Sequence, residues 1–162
     1  MKKDKFFLLI IILAFADQVT KLFIIINKDN LPIEIINNIL EIVYCENKGI
    51  AFGIGEGITG MVSILTAIIM ILILIVIYKN YTKIDSKLLL GGALLIAGGL
   101  GNFLDRLFRL HVIDFIYLKI INFPVFNFAD ICVVIGVITI GTGFLLMDRG
   151  EKIENNNSQK WL

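Results

Sequence analysis

The sequence predicts an all-α membrane protein with four transmembrane helices. Of its 162 residues, 57% are hydrophobic, whereas water-soluble domains usually contain about 45–50% apolar residues. The mean hydropathy is +0.87, and four apolar runs approach the roughly 20 residues that a helix needs to cross a bilayer. The formal net charge of +1 gives no indication of nucleic acid binding.

The predicted spans follow one another in a single membrane domain that covers residues 1–162. They comprise residues 6–26, 58–78, 88–104 and 128–147, with outer loops at 27–57 and 105–127. The third span is the shortest and is rich in glycine, which lets membrane helices approach closely and favours a packed bundle. The polar tail from about residue 150 is expected to be disordered.

The first span has an alternative interpretation as a cleavable secretory signal peptide. Lysines, an apolar core and the sequence AFA at residues 14–16 match the order of such a peptide. The apolar run resumes after Asp17, however, and three more spans follow. This order favours a retained transmembrane helix.

Lysine and arginine in the flanking segments predict the orientation of the bundle. They are concentrated in the N-terminus, in the connection between the second and third spans, and in the tail. The positive-inside rule places all three segments, and therefore both termini, in the cytoplasm. The first connection has two lysines against five acidic residues and is expected outside. Loose alternation in residues 33–44 predicts one or two short extracytoplasmic strands there.

Asp17 and Lys21 lie within the first span, where even a lenient scale sets the cost of a charge at about 2.5–3.5 kcal/mol. Their spacing of i and i+4 puts both on one helix face, so they can pair. They act either as a helix-packing pair or in direct contact with a substrate, and the spacing leaves both roles open. At about 1.5 Å of rise per residue, the intramembrane charges fall in the outer half of the bilayer.

A second polar group, formed by Asn102, Asp105 and Arg106, closes the third span. Asn102 and Arg106 also stand four residues apart, with Asp105 beside them. We interpret the three as a polar scaffold at the outer mouth of the bundle, where Arg106 can meet a lipid phosphate.

Asp114 and Asp130 are the strongest candidates for chemistry. Asp114 ends a short predicted loop, Asp130 opens the fourth helix, and the chain between them is short enough to bring them together. Two carboxylates that share a site cannot both ionise cheaply, so one keeps a proton while the other acts as a base. Such a pair activates water against an amide carbonyl and protonates the leaving nitrogen. Alternatively, Asp130 caps the fourth helix and Asp114 is a solvated loop residue.

The sequence offers few residues for catalysis by a zinc ion, a serine or a thiol. The single histidine, His111, excludes a His-based zinc site and an HExxH motif. Cys45 and Cys132 lack metal-ligand spacing and are interpreted as two separate thiols. A dyad of Ser63 with a lysine, or a thiol protease built on Cys132, is a minor alternative.

Five motifs together resemble the lipoprotein signal peptidases of bacteria, also called signal peptidase II. In chain order they are DQVTK at 17–21, NKGIAFG at 47–53, GGLGNFLDR at 98–106, VIDF at 112–115 and FPVFNFAD at 123–130. They span nearly the whole chain, so the match is specific. Ile50 and Phe52 depart from the family, which more often has Ala and Trp there, but both keep the loop apolar.

The resemblance implies an aspartic endopeptidase of the bacterial cytoplasmic membrane, with its active site on the extracytoplasmic side. The family removes the signal peptide from diacylglyceryl-modified prolipoproteins and cuts before the lipidated cysteine. The resemblance also implies four transmembrane helices with a small extracytoplasmic β-cradle, and it assigns the catalytic pair to Asp114 and Asp130. Positioning or stabilising roles carry over to Asp17, Lys21, Asn47, Asn102, Asp105, Arg106 and Asn127.

The expected partners are lipid-modified prolipoproteins and membrane lipid, with no nucleic acid, metal or cofactor, and the chain is expected to be a monomer. Residues 98–101 and 50–52 are candidate surfaces for the acyl chains and the signal helix. The alternative function is a small proton-coupled transporter subunit, in which Asp17, Lys21 and Asp130 relay protons. That function predicts polar residues throughout the bilayer depth and repeated halves, and the apolar inner half argues against it.

Overall fold

The computed structural model describes residues 1–49 and 59–159, with side chains for residues 1–49 and 60–146. Within these ranges the helices are α1 (Lys3–Ile26), α2 (Thr59–Asn80), α3 (Ser86–Arg109) and α4 (Phe128–Gln159). The strands are β1 (Ile33–Ile36), β2 (Leu40–Asn47) and β3 (Val112–Leu118), and short 3-10 helices cover Lys28–Asn30 and Lys119–Ile121. All four α-helices are long and apolar enough to cross a membrane, as predicted.

Helix α3 is the centre of the bundle and packs against α1, α2 and α4. Half of the residues in the most apolar stretch of α3 are buried, whereas only 6% are buried in the corresponding stretch of α2. A core of buried side chains joins three of the helices, namely Phe6 and Ile10 of α1, Ile77 of α2, and Leu89 and Ala93 of α3. Helix α2 exposes apolar side chains over most of its surface, as a helix that faces lipid does.

The glycines of α3 allow its backbone to lie directly against α4. A Cβ added at Gly91 would come within 2.6 Å of Ile140, and one added at Gly98 would collide with the backbone of Ala129. Close approach of small residues is a main source of helix association in membranes. The expectation that residues 98–101 form a surface for acyl chains or the signal helix is therefore wrong, because α4, α1 and α2 fill that space.

The predicted end of the third span at residue 104 is wrong, since α3 continues to Arg109. Asp105 and Arg106 therefore lie in a helix and not in the predicted outer loop 105–127. The apolar run stops at the first charged residue, but the carboxylate of Asp105 is paired inside the protein, so the helix continues past it. Leu110, in the left-handed region with a φ of 66°, follows the last turn.

Helix α4 is also longer than predicted and runs to Gln159. The tail is helical as far as that residue, which contradicts the predicted disorder, and residues 160–162 lie outside the described part of the chain. Glutamate and lysine are good helix formers. A polar segment that continues an existing helix also avoids the nucleation step that an isolated helix needs.

The sheet is antiparallel in the order β1–β2–β3. β1 and β2 confirm the strands predicted for residues 33–44, whereas β3 occupies a segment for which a loop was expected. The first four residues of β3 are all buried, so both faces of the strand lie inside the protein. Its sequence, VIDFIYL, therefore lacks the alternation of apolar and polar residues that predicts a strand. Ile113 and Phe115 of β3 pack against Ile24 of α1 and fix the sheet to the bundle. Four apolar helices with a small sheet confirm the predicted fold in outline, and the orientation of the termini stays a prediction.

Candidate active site

Asp114 lies in β3 and is almost completely buried, with 2% of its surface exposed. Two amide groups hold its carboxylate: Asn47 Nδ2 donates to Oδ2 at 2.9 Å, and Asn127 Nδ2 donates to Oδ1 at 2.6 Å. Asn47 ends β2, and its side-chain oxygen accepts the N–H of Gly49 at 2.9 Å. Strand pairing and these hydrogen bonds fix Asp114, so its interpretation as a solvated loop residue is wrong.

Asp130 lies in the first turn of α4, and the residue that caps this helix is Asn127 instead of Asp130. Asn127 Oδ1 accepts the N–H of Asp130 at 3.0 Å, and Asp130 Oδ2 accepts the N–H of Asn127 at 3.0 Å. This reciprocal pair has the geometry of a capping box, which satisfies N–H groups that a helix start leaves unpaired. The second oxygen, Asp130 Oδ1, accepts Nδ2 of Asn102 in α3 at 2.8 Å.

Both carboxylates line one cavity of about 440 Å³. Asn127 connects them from behind, because it donates to Asp114 through its side chain and exchanges hydrogen bonds with Asp130. The two aspartates therefore meet at one site, as the short chain between them suggested. The polar side chains that line the cavity are Asn47, Asn102, Arg106, Asp114 and Asp130.

The remaining walls of the cavity are apolar and are formed by Val112 of β3 and by two further segments. One is the stretch from Phe123 to Phe126 that precedes α4, and the other is a row along α4 formed by Ile131, Val134 and Ile135. Val134 is 56% exposed and Ile135 is 47% exposed. The cavity thus continues from the carboxylates onto an apolar helix face.

The surroundings of Asp114 favour its protonated form. Burial raises the pKa of Asp114 to about 6; hydrogen bonds from Asn47 and Asn127 oppose this rise, and the charge of Asp130 adds to it. A carboxyl group with such a pKa exchanges its proton near neutral pH, as general acid–base catalysis requires.

Behind the cavity, Asp17, Lys21 and Asp105 form a buried charge cluster. Lys21 Nζ lies 2.9 Å from Asp17 Oδ2 and 2.9 Å from Asp105 Oδ2, and all three residues are at most 1% exposed. Lys21 also donates to Asn102 Oδ1 at 2.9 Å. The three residues are not among those that line the cavity. Of the two roles open for Asp17 and Lys21, the structure favours helix packing over contact with a substrate.

The buried charge cluster also holds the backbone beside each aspartate of the cavity. Asp17 Oδ1 accepts the N–H of Ala129 at 3.0 Å, one residue before Asp130. Asp105 Oδ2 accepts the N–H of Ile113 at 3.1 Å, one residue before Asp114. The cluster therefore fixes both chain segments that carry the candidate catalytic residues.

Gln18 and Arg109 also contact the buried charge cluster, although the sequence predicts no role for either. Gln18 Nε2 donates to Asp105 Oδ1 at 3.1 Å and to Asp17 Oδ2 at 3.2 Å. Arg109 forms an ion pair with Asp105 and donates to Gln18 Oε1 at 3.1 Å. Two signals point to them: Gln18 lies inside the DQVTK motif, and Arg109 follows Asp105 by four residues on one helix.

Arg106 borders the cavity with a guanidinium that is only partly satisfied. Its Nη1 donates to Asn102 O and its Nη2 to Gly49 O, both at 3.4 Å. Its buried Nε has no hydrogen-bond partner among the described residues. Contact between this side chain and a lipid phosphate stays a prediction.

The described residues offer little support for catalysis by a thiol or a metal ion. Cys132 is buried, Cys45 is half-buried and both are free thiols, which confirms their interpretation as separate groups. Among the described side chains, those of residues 1–49 and 60–146, no group of three or more His, Cys, Asp or Glu is placed to hold a metal ion. The polar groups that line the cavity are two carboxylates, two amides and one guanidinium.

The chain is similar to known proteins over most of its length. A profile of the family described as Signal peptidase (SPase) II matches residues 9–146. A bacterial membrane enzyme solved by the in meso method at 2.3 Å resolution is 35% identical, with a TM-score of 0.80 over 93% of this chain and 92% of that chain. Another bacterial membrane enzyme, solved by the same method at 1.9 Å resolution, is 34% identical, with a TM-score of 0.77 over 88% of this chain and 94% of that chain. The chain therefore belongs to the signal peptidase II family, whose members are membrane peptidases that process lipoprotein signal peptides.

Proposed function

We propose that the chain is an aspartic endopeptidase that removes the signal peptide from diacylglyceryl-modified prolipoproteins and cuts before the lipidated cysteine. The observation that carries the proposal is the placement of Asp114 and Asp130 on one cavity, each held by amide groups. Membership of the signal peptidase II family supports the substrate class.

In the proposed reaction the two aspartates share one proton. Asp130 takes a proton from a water molecule, whose oxygen attacks the carbonyl carbon of the scissile peptide. Asp114, with its pKa raised to about 6, donates its proton to the carbonyl oxygen. Asp130 then passes its proton to the leaving nitrogen while the C–N bond breaks. Asp114 recovers a proton from one of the two hydroxyl groups as the product carbonyl forms.

The three asparagines of the site support this division of roles. Each uses its side-chain oxygen to accept a hydrogen bond from elsewhere in the protein. Its Nδ2 is therefore the group that faces a carboxylate: Asn47 and Asn127 face Asp114, and Asn102 faces Asp130. An amide that only donates towards the carboxylates offers no acceptor for their shared proton. The proton then stays available for the reaction.

The apolar row of Ile131, Val134 and Ile135 is the surface we propose for the lipid-modified part of the substrate. Acyl chains that lie along this face of α4 bring the cysteine that carries them next to Asp130. Burial of apolar chain against an apolar wall is favourable at about 25 cal/mol per Å². The other candidate surface, residues 50–52, lies outside the described part of the chain.

We further propose that the bundle lies in the bacterial cytoplasmic membrane, with the cavity on the extracytoplasmic side and both termini inside. The lysine and arginine distribution supports this orientation. A monomer is part of the proposal, because one chain supplies both aspartates and the amides that hold them. The partners are then lipid-modified prolipoproteins and the surrounding membrane lipid.

The proposal is tested by cleavage of a lipidated prolipoprotein with the purified protein and with Asp114→Asn and Asp130→Asn variants. Asparagine has nearly the shape of aspartate but can neither act as base nor share a proton. Loss of general acid–base catalysis costs roughly 10²–10⁴-fold, so each variant is expected to fold and to lose its activity by at least that factor. Asn37→Ala, at an exposed turn residue, is the matched control. Substantial cleavage by either aspartate variant would show that the assignment is wrong.

The proton-coupled transporter gains no comparable support from the described residues. Asp17 and Lys21 are paired in the buried charge cluster, and Asp130 lies in the first turn of α4 on the cavity. These residues lie at the end of the bundle that carries the sheet. Asp105, the other carboxylate that pairs with Lys21, accepts a hydrogen bond from the backbone of β3. A relay across the membrane needs polar groups through its depth.

A further inference from the structure

We propose that Arg109 is a positioning residue for both aspartates, and that it acts through the buried charge cluster without touching the substrate. The inference rests on the proposed function, because it concerns the placement of Asp114 and Asp130. Arg109 lies in the last turn of α3, outside the five motifs, and its side chain is 26% exposed.

The charge balance of the buried charge cluster gives Arg109 its importance. The cluster contains two carboxylates, Asp17 and Asp105, but a single ammonium group, that of Lys21. With both carboxylates ionised, one negative charge is left over in a fully buried position. Arg109 offsets it through its ion pair with Asp105. An uncompensated buried charge is strongly destabilising, so surrounding groups rearrange when its partner is lost.

The contacts of Arg109 also fix the direction of the Asp105 carboxylate. Arg109 and Gln18 both approach Asp105 Oδ1, and Arg109 Nη1 bonds the side-chain oxygen of Gln18 at 3.1 Å. The other oxygen, Asp105 Oδ2, is then free to accept from Lys21 and from the N–H of Ile113. The contact with Arg109 thus keeps Oδ1 of Asp105 directed towards Arg109 and Gln18, and Oδ2 directed towards Lys21 and the backbone of Ile113.

The first path from Asp105 leads to Asp114 through the backbone. Asp105 Oδ2 accepts the N–H of Ile113 at 3.1 Å, where β3 begins directly after the turn that ends α3. Asp114 is the next residue. A rotation of the Asp105 carboxylate would release this backbone contact and change the angle at which Asp114 enters the cavity.

The second path leads from Lys21 to Asp130. Lys21 Nζ donates to Asn102 Oδ1 at 2.9 Å, and Asn102 Nδ2 donates to Asp130 Oδ1 at 2.8 Å. Without Arg109, the full charge of Asp105 draws Lys21 towards itself and away from Asn102. The amide of Asn102 then loses the contact that keeps its Nδ2 towards Asp130.

The experiment compares kcat and KM of the wild type with those of Arg109→Gln and Arg109→Lys, on a diacylglyceryl prolipoprotein in detergent. Lys119→Gln is the matched control, because Lys119 also bridges two carboxylates, Glu34 at 3.0 Å and Glu41 at 2.7 Å, but on the exposed sheet. Arg109→Met, which keeps the apolar stem, replaces the glutamine variant if that variant does not fold.

We expect Arg109→Gln to lower kcat roughly tenfold and to leave KM within about twofold, because a small misplacement of reacting groups affects turnover more than binding. Arg109→Lys should restore most of kcat, and Lys119→Gln should behave as the wild type. An unchanged kcat in Arg109→Gln, a higher KM at constant kcat, or no rescue by lysine would overturn the inference. Wild-type cleavage and its loss in Asp114→Asn test the proposed function separately, so the two failures are distinguishable.

Discussion

The two aspartates of the cavity differ in how their surroundings treat a negative charge. Asp114 is buried in a strand, and burial raises its pKa to about 6. Asp130 lies in the first turn of α4, at the positive end of the helix dipole, which stabilises a negative charge. The N–H of Asn127 already donates to it. This contrast supports Asp114 as the proton carrier and Asp130 as the base.

The raised pKa of Asp114 predicts how activity depends on pH. The productive state holds one shared proton, so kcat/KM is expected to fall as pH rises through about 6, where Asp114 loses it. The hydrogen bond from Asn47 favours the ionised form of Asp114, so Asn47→Ala should raise the pKa of Asp114 further. The alkaline limb of the pH profile should then move to higher pH. A series of kcat/KM measurements between pH 4 and 9 reads this out.

The control for this prediction is an asparagine that makes no contact with the aspartates. Asn37→Ala, in the exposed turn between β1 and β2, should leave both limbs of the profile in place. A shift of the alkaline limb of Asn47→Ala to lower pH would mean that Asn47 acts on Asp114 in the opposite sense. No shift would mean that the limb belongs to another group.

Among individual residues, the sequence identifies the two carboxylates more readily than the residues that hold them in place. Asp114 and Asp130 stand out because charge is rare among apolar residues near a membrane. Arg109 looks like an ordinary exposed cation at a helix end, and only the fold shows that Asp105 is buried beside it. Its spacing of four residues from Asp105 permits the ion pair, but its importance depends on Lys21, which is 88 positions earlier in the chain, so no local pattern reveals the cluster that the pair completes.

The helices are predictable from the sequence as elements, whereas β3 is not. Apolar runs of about 20 residues have few alternatives in a membrane, since lipid satisfies no backbone polar group. β3 is a short strand whose identity depends on pairing with β2, including the pair of Cys45 with Asp114. The end of α3 was predicted too early for a related reason. Asp105 is tolerated in the helix only because it has partners on other elements, which the sequence does not reveal.

The proposed orientation of these elements predicts which turns a membrane-impermeant thiol reagent reaches in intact cells. On a cysteine-free background, a single cysteine at Asn38, in the turn between β1 and β2, should be labelled. A cysteine at Thr82, in the turn between α2 and α3, should be labelled only after the cells are opened. Both residues are exposed on the protein surface, so a difference between them reports the side of the membrane. The reverse pattern would place the cavity in the cytoplasm and refute the orientation.

For the molecule as a whole, the buried polar side chains of the described residues are gathered at one end of the bundle. The buried charge cluster, the cavity and the sheet all meet there, while α2 and the outer faces of α1 and α4 are apolar and exposed. A soluble protein does not expose apolar surface on this scale. Under the proposed function, the bundle holds this polar site beside the membrane, where a lipid-anchored substrate can reach it.

The substrate's lipid is accordingly predicted to act on the chemical step and not only on binding. The apolar row on α4 begins one residue after Asp130, so acyl chains held there fix the distance between the modified cysteine and the carboxylates. Binding energy from a remote group raises kcat when it orients the reacting atoms. An unlipidated prolipoprotein at saturating concentration should therefore be cut at least about tenfold more slowly than its diacylglyceryl form. The measurement is kcat for both forms in the same detergent, with Asp114→Asn as the blank. Equal kcat values with different KM values would mean that the lipid merely concentrates the substrate in the membrane, and the positioning role of the α4 face would have to be abandoned.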